Sequence, residues 1–379
     1  MTSSPEAARL DRLRQRLRAL DLDALLVSQP ESRRYLSGYT ADDHPPLGSA
    51  GLLLVGEEAA LLLTDPRTTE LARRQAPLFE VVEYPTLLQA MATVADTATR
   101  LGVRRLGVEA NHLPLRRFRE LVAASNERLT LVDTYDLVDE LRAVKDESEI
   151  AAIAEGARLL DRAFYHLVEQ MRPGQTEREL AWWVEAWLRT HGADDVAFPP
   201  IIASGPNAAI PHAEPTDRTV QEGEPITVDI GARVNGYASD MTRTVCLGTA
   251  PPQLSQVHAI VLRALRRARE FVRPGVTGRE VDAEARRIIT EAGYGERFIH
   301  ALGHGVGLAV HEPPRLGRTG GEGILDVGMV FTIEPGVYLP GWGGVRIEDL
   351  VCLDDAGVRQ LTGASHHLEC AEVLRDLNR

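Results

Sequence analysis

Leucines at Leu10, Leu13, Leu17 and Leu20 recur at helical spacing through a start otherwise rich in Arg, Asp and Glu, which predicts an amphipathic helix over 4–20. Beyond it, short apolar runs alternate with helical patterns. The runs 24–28, 51–55, 59–64, 79–83, 106–109 and 129–132 read as strands, and the segments 67–76, 87–100 and 114–125 as helices. Alternation of this kind predicts a small α/β domain, and this one carries no glycine-rich phosphate loop. Asp146, followed three residues later by Glu149, then has the form of a capping box opening a long apolar-periodic helix over 148–171. The pattern divides the chain near 142–147, giving an α/β domain of residues 1–144 and a second domain of residues 145–379.

The second domain repeats itself. Arg172-Pro173-Gly174-Gln175-Thr176-Glu177-Arg178-Glu179 returns as Arg273-Pro274-Gly275-Val276-Thr277-Gly278-Arg279-Glu280. In each copy Pro-Gly ends one helix and Thr caps the next. Those next helices stop at Gly192 and Gly293. The following strands match as well: Asp229 stands six residues after Gly223, and Glu334 six after Gly328. Two copies of helix–helix–hairpin predict an α+β domain packed about a pseudo-twofold axis. The repeat is too long and too few-fold for a solenoid.

The repeat leads to acids in apolar strands. Asn235-Gly236 is a strong two-residue hairpin signal, and it predicts the pairs Val234–Tyr237, Asp229–Thr242 and Asp240–Gly231. Asp229 and Asp240 then become diagonal neighbours on one face, among Val228, Ile230, Met241 and Val245. Two buried carboxylates there would cost on the order of several kcal/mol unless a cation lay between them. In the second half, Val330 to Glu334 reads as one strand and Gly344 to Glu348 begins another after a Pro-Gly-rich turn. The axis would set Glu334 and Glu348 opposite Asp229 and Asp240. Gly303-His304-Gly305 offers an imidazole between two glycines that permit close approach. Four carboxylates and one imidazole suit two divalent cations with open positions, Mn2+, Co2+ or Zn2+. A water bridging such ions is acidified into a nucleophile at neutral pH. Taken singly, each acid would read as a surface charge and His304 as a core histidine; the registered repeat turns the five into a ligand set.

These segments resemble the pita-bread metallopeptidases, the family of methionine aminopeptidase, aminopeptidase P and prolidase. The resemblance covers nearly all of residues 150–370. It rests on Ile201 to Gly205, Pro211-His212, Val228-Asp-Ile-Gly231, Ser239-Asp-Met-Thr-Arg-Thr244, Gly303-His-Gly-Val-Gly307, Val310-His-Glu312, Thr332-Ile-Glu-Pro-Gly336 and Gly344-Val-Arg-Ile-Glu-Asp349. It implies the same five ligands, Asp229, Asp240, His304, Glu334 and Glu348, with Mn2+ foremost among the metals. It also implies that His212 and His311 hydrogen-bond the oxyanion or the substrate. Arg346 would reach the site or pair with a metal-binding acid, His300 would line the substrate pocket, and Glu334 would relay a proton. Ala213-Glu214 stands where a glycine often follows the histidine, which leaves the metals untouched but concerns the loop over the pocket.

The N-terminal extension resembles the creatinase-type domain of Xaa-Pro peptidases, which methionine aminopeptidases usually lack. The implied activity is hydrolysis of the first bond of short proline-containing peptides, by a homodimer. Tyr35-Leu-Ser-Gly-Tyr39 and Gly48-Ser-Ala-Gly51 resemble segments common in aminopeptidases P, so the expectation is an Xaa-Pro aminopeptidase of the aminopeptidase P type, with an Xaa-Pro dipeptidase as the alternative. The intact ligand set argues against creatinase and against a non-catalytic binding module. The loop Thr40 to Gly48, with Asp42, Asp43 and His44, is expected to close the pocket and to measure peptide length.

Composition narrows the partners. A formal net charge of -13 disfavours nucleic acid and anionic membranes. Cys246, Cys352 and Cys370 lie far apart with no CxxC, which fits small core hydrophobes in a reducing cytoplasm. The longest apolar stretch, Gly51 to Thr64, is broken by Glu57 and Glu58, so no segment is expected to span a bilayer.

Overall fold

The structure, a computed structural model, describes residues 4–43 and 50–377. His44 and Gly48 lie outside the described residues. Two compact units divide between Arg142 and Ala143.

Unit 1 is built on strands β1 (Ala24–Val27), β2 (Leu52–Gly56), β3 (Ala60–Thr64), β4 (Glu80–Glu83), β5 (Arg105–Glu109) and β6 (Thr130–Thr134). They form one sheet in the order β4-β3-β2-β1-β5-β6. The helices are α1 (Pro5–Ala19), α2 (Pro30–Ser37), α3 (Thr69–Gln75), α4 (Ala90–Arg100), α5 (Leu115–Ser125) and the short α6 (Asp139–Ala143). Ser4 caps α1, and Leu10, Leu13 and Leu17 form its buried face. Leu20 does not continue that face; it lies past the last turn and is exposed.

α2 escapes a reading by apolar period, because much of its buried face is polar: Ser32, Arg33 and Ser37. The buried Arg33 donates to the carbonyls of Ala41 (2.6 Å) and Gly51 (2.8 Å) and to Asp43 Oδ1 (2.9 Å). Asp43 also accepts from the Ala50 amide at 2.7 Å. Asp43 therefore ties its own backbone segment directly to Ala50 while pairing with the buried Arg33.

Unit 2 begins with α7 (Glu147–Gln170), whose capping box joins Asp146 and Glu149. Gly156 lets this helix press onto the sheet: a Cβ there would stand 2.6 Å from Ser239 Oγ, beside Asp240. The helices α8 (Glu177–Thr190), α9 (Pro252–Phe271), α10 (Gly278–Glu291) and α11 (Cys370–Leu377) follow. The strands are β7 (Asp195–Val196), β8 (Ile201–Ser204), β9 (Ile226–Val234), β10 (Tyr237–Val245), β11 (Gly303–Gly305), β12 (Glu312–Leu316), β13 (Val330–Ile333), β14 (Gly336–Leu339), β15 (Gly343–Arg346), β16 (Asp349–Asp354) and β17 (Gly357–Gln360). β7 to β10 form one sheet, and the order β12-β11-β13-β16-β17 forms another.

The repeat is visible bond by bond. Thr176 and Thr277 cap α8 and α10 with capping boxes to Glu179 and Glu280. The Gly174 amide donates to Val220 O at 3.0 Å, and the Gly275 amide to Leu325 O at 2.9 Å. Each half has its own apolar core, around Phe164, Ile230 and Met241 in the first and around Leu265, Phe331 and Val351 in the second. The β9–β10 hairpin has the expected register, Asp229 opposite Thr242 and Asp240 opposite Gly231. Its turn residues take φ of 50° at Asn235 and 78° at Gly236.

The second hairpin departs from a simple copy. β13 pairs with β16, ending at Ile333 opposite Asp349, while β14 and β15 form a small hairpin of their own. Pro335 has no N–H to extend the ladder, so the chain leaves the sheet after Glu334 and returns at Glu348. The two acids flank this excursion.

Candidate metal centre

Five side chains converge in unit 2. β9 supplies Asp229, β10 Asp240 and β11 His304; Glu334 follows β13, and Glu348 precedes β16. Single ligand atoms of Asp240, His304 and Glu348 lie within 4.8 Å of one another. His304 Nε2 stands 3.4 Å from Glu334 Oε1 and 3.8 Å from Asp240 Oδ2. His304 Nδ1 lies 3.1 Å from the Gly305 carbonyl. A carbonyl only accepts, so the proton sits on Nδ1 and the lone pair is left on Nε2, facing the acids. Burial, and then the neighbouring His311, push the pKa of His304 down to about 3. The imidazole is therefore neutral, as a metal ligand must be.

The carboxylates carry more charge than the protein around them balances. Burial raises Asp240 well above the usual carboxylate range, and Glu348 and Asp229 raise it further. Burial likewise raises Glu348, with Glu334 and Asp229 adding to it. Glu334 is pushed up to about 8, chiefly by burial, with Arg346 opposing and Asp240 and Asp229 reinforcing. Asp229 Oδ1 is buried with no hydrogen-bond partner. An orphaned carboxylate oxygen, a free imidazole lone pair and clustered acids form a donor set that fits divalent cations.

A layer of hydrogen bonds orients these donors. Arg346 Nη2 donates to Asp229 Oδ2 at 2.6 Å, its Nε to Thr242 Oγ1 at 3.1 Å and its Nη1 to Tyr338 OH at 2.9 Å. Nη1 also reaches the Pro211 carbonyl at 3.2 Å. Arg346 is thus the ion-pair partner of a candidate metal ligand and a tie to the His212 loop. Thr242 donates to Glu348 Oε2 at 2.7 Å, and Thr332 to Glu334 Oε1 at 3.3 Å. His300 Nδ1 is 2.7 Å from the Ala301 carbonyl and its Nε2 2.9 Å from Tyr338 OH. Tyr338 therefore donates to His300 while it accepts from Arg346. Burial lowers His300 to about 4, which keeps it neutral as that bond requires.

The other sequence-derived residues are nearby. The His311 ring centroid lies 4.0 Å from that of His304. His212 is exposed, and the carbonyl of Pro211 beside it accepts from Arg346. Its loop is pinned by Glu177, which is fully buried. Glu177 accepts from the amide and hydroxyl of Ser204 (both 2.7 Å), from the amide and hydroxyl of Thr216 (3.0 and 2.6 Å) and from Asn207.

Sequence reasoning missed Glu177, Thr332 and Tyr338. A signal for Glu177 existed, since the second copy of the repeat has Gly278 at that position. Thr242 was already legible as the partner of Asp229. Tyr338 had no signal, because it belongs to the excursion between Glu334 and Glu348. Asp42 and Asp43 belong to unit 1.

Residues 151–355 match the model of Metallopeptidase family M24. The chain belongs to metallopeptidase family M24. Residues 9–144 of this M24 enzyme match the Creatinase/Prolidase N-terminal domain. Family membership assigns unit 2 the pita-bread fold and implies divalent metal ions. An Xaa-Pro dipeptidase of Pyrococcus furiosus is 35% identical over 95% of this chain and 99% of its own length. The structure of an Xaa-Pro dipeptidase from Bacillus anthracis superposes with a TM-score of 0.90 at 36% identity, covering 96% of this chain and 99% of that one. An X-Pro aminopeptidase from Thermotoga maritima matches with a TM-score of 0.82 at 37% identity, covering 93% and 99%. No helix among the described residues of this M24 peptidase is long and apolar enough to cross a membrane.

Proposed function

We propose that the chain hydrolyses the bond before proline at the N-terminus of short peptides, with two divalent metal ions held by Asp229, Asp240, His304, Glu334 and Glu348. The observation that carries this reading is the convergence of Asp240, His304 and Glu348 beside an orphaned Asp229 oxygen. Mn2+ is the foremost candidate, with Co2+ and Zn2+ the alternatives, because the set is rich in oxygen. When bound, such ions polarise the scissile carbonyl and acidify a water.

The chain's own groups do the rest. Glu334 takes a proton at a carboxylate oxygen and delivers it to the leaving proline nitrogen. His311 and His212 donate hydrogen bonds to the oxygen on which negative charge develops. Arg346 holds Asp229 in place, and through Tyr338 it also holds His300 at the side of the pocket.

Dipeptides are the first substrate class. A dipeptide presents a free carboxylate, and Arg346 is already committed to Asp229. Arg315 lies opposite His304 in the β11–β12 register, is exposed, and forms no ion pair among the described residues. It is a cation available to the peptide carboxylate, and the relatives named Xaa-Pro dipeptidase support dipeptides as the substrate class. The second reading, an aminopeptidase acting on longer peptides, is supported by Tyr35 to Tyr39 and by the likeness to the Thermotoga maritima enzyme.

The test compares an Xaa-Pro dipeptide, an Xaa-Pro-Yaa tripeptide and a dipeptide without proline, on protein stripped by a chelator and reloaded with Mn2+, Co2+ or Zn2+. Metal-dependent cleavage of the first in preference to the second is expected, with Arg315→Ala raising KM for the dipeptide alone. Equal rates on the proline-free peptide, or full activity after stripping, would remove the proposal.

A further inference from the structure

Lys145 is the only lysine in the chain; every other basic side chain is arginine or histidine. It is also buried. Its Nζ lies 2.8 Å from Glu312 Oε1, and both side chains are 1% exposed. Nζ also donates to the Ala143 carbonyl at 3.2 Å. The Lys145 amide donates to Gly328 O at 2.9 Å, at the start of the segment leading to Glu334. A compact ammonium set between one carboxylate and one carbonyl suits this site. A guanidinium brings five donors in a wide planar fork, and some of them would be left without acceptors.

Glu312 is the residue after His311. Its Oε2 accepts from the Ala309 amide at 3.2 Å. Gly307 leaves it room, because a Cβ there would meet Glu312 Oε1 at 2.2 Å. The segment 306–311 curls around this carboxylate. It is held elsewhere by Ala238 N to Gly307 O (2.7 Å) and Arg233 Nη1 to Leu308 O (2.8 Å). It ends with the His311 ring against His304. The ion pair is thus the charged anchor of the turn that presents His311.

We propose that Lys145 and Glu312 are positioning residues for His311: their buried ion pair sets the 306–311 turn so that the His311 ring meets the developing oxyanion. The pair acts on the rate of the chemical step and leaves substrate affinity and metal content alone. The inference rests on the reading of His311 given above.

The test is a cycle on the metal-loaded, full-length protein, with wild type, Lys145→Met, His311→Ala and Lys145→Met/His311→Ala. Lys145→Met should lower kcat about tenfold or more, with KM within about twofold and the metal content unchanged. It should also shift the 15N imidazole resonance assigned by its loss in His311→Ala. In the His311→Ala background the same substitution should change kcat by less than about twofold, because the group being positioned is gone. Lys145→Arg should not restore kcat.

If His311→Ala leaves kcat at the wild-type value, the reading of His311 fails and this inference falls with it. If His311→Ala is slow but Lys145→Met lowers kcat equally in both backgrounds, or leaves kcat and the resonance unmoved, the positioning role alone is overturned. Should Lys145→Met not fold, Lys145→Met/Glu312→Gln removes both charges together. Wild-type kcat in that variant would overturn the inference, and a loss matching the expected one would support it.

Discussion

The two halves of unit 2 share a scaffold and differ around the candidate metal ligands. Residues 172–245 and 273–348 run through the same Pro-Gly stop, the same Thr-capped helix and the same glycine-led strand. The first half completes its hairpin at Asn235-Gly236 and keeps both acids inside paired strands. The second half breaks its ladder at Pro335 and places its acids on either side of an inserted hairpin. That excursion carries Tyr338 and Arg346, and Arg346 reaches back to Asp229 of the first half while also donating to Tyr338. The helix starts also differ. Glu177 fills its position with a carboxylate that holds the His212 loop. Gly278 has no room for any side chain, since a Cβ would stand 2.1 Å from the Arg315 carbonyl. Internal symmetry thus supplies the framework, and one substitution within it decides which half holds the His212 loop.

The strongest way to break this comparison is to remove one acid from each half. Asp240→Asn and Glu348→Gln should each lose metal by elemental analysis and reduce kcat/KM by about three orders of magnitude or more, with the circular dichroism unchanged. A normal metal content in only one of them would mean that the halves do not share a site. His212→Ala should lower kcat by about two orders of magnitude with both metals retained; a change under threefold would place that histidine outside the reaction.

The helix starts give a smaller contrast. Glu177→Ala should free the 204–216 loop and lower kcat/KM about tenfold, because it leaves buried donors without an acceptor. Gly278→Ala should lower thermal stability by about 1–3 kcal/mol through overpacking, with kcat/KM of the folded protein nearly unchanged. The reverse pattern would show that the two positions are not specialised in this way.

The smallest effect is a pH dependence. Burial pushes Glu334 of the metal-free protein up to about 8 from an ordinary value of 4.5. Between those values the folded state holds a proton that the unfolded state has released, so stability falls as pH rises through that window. Asp240 and Glu348 shift in the same direction. The melting temperature of chelator-stripped protein should therefore fall by a few degrees from pH 5 to pH 8. The metal-loaded protein should show no such fall, because the cations balance the ionised acids. A flat profile for the stripped protein would count against the crowded-carboxylate account of the site.

Much of the centre is readable from the chain because its determinants are local or repeated. Asn235-Gly236 needs φ > 0 at both turn positions, and that demand alone sets the register placing Asp229 and Asp240 on one face. The caps at Asp146, Thr176 and Thr277 announce their helices in the same direct way. The five candidate ligands follow from two strands per half and one glycine-flanked histidine. Where the buried face is polar, as in α2 with Ser32 and Arg33, the apolar period is interrupted and the element goes unread. The N-terminal motifs pointed toward longer peptides, whereas Arg315, which favours dipeptides in the proposed reading, stands out only once it lies opposite His304.

The sequence by itself thus determined the elements, the internal repeat and the list of groups able to bind metal, since each depends on residues close in the chain or on a pattern stated twice. Only the tertiary structure decided what those groups face. Tyr338 between His300 and Arg346, Glu177 under the His212 loop and Lys145 against Glu312 join residues far apart in the chain. Such partnerships leave no periodic trace, because a buried polar group is satisfied by whichever donor or acceptor the packing brings to it, at any sequence separation.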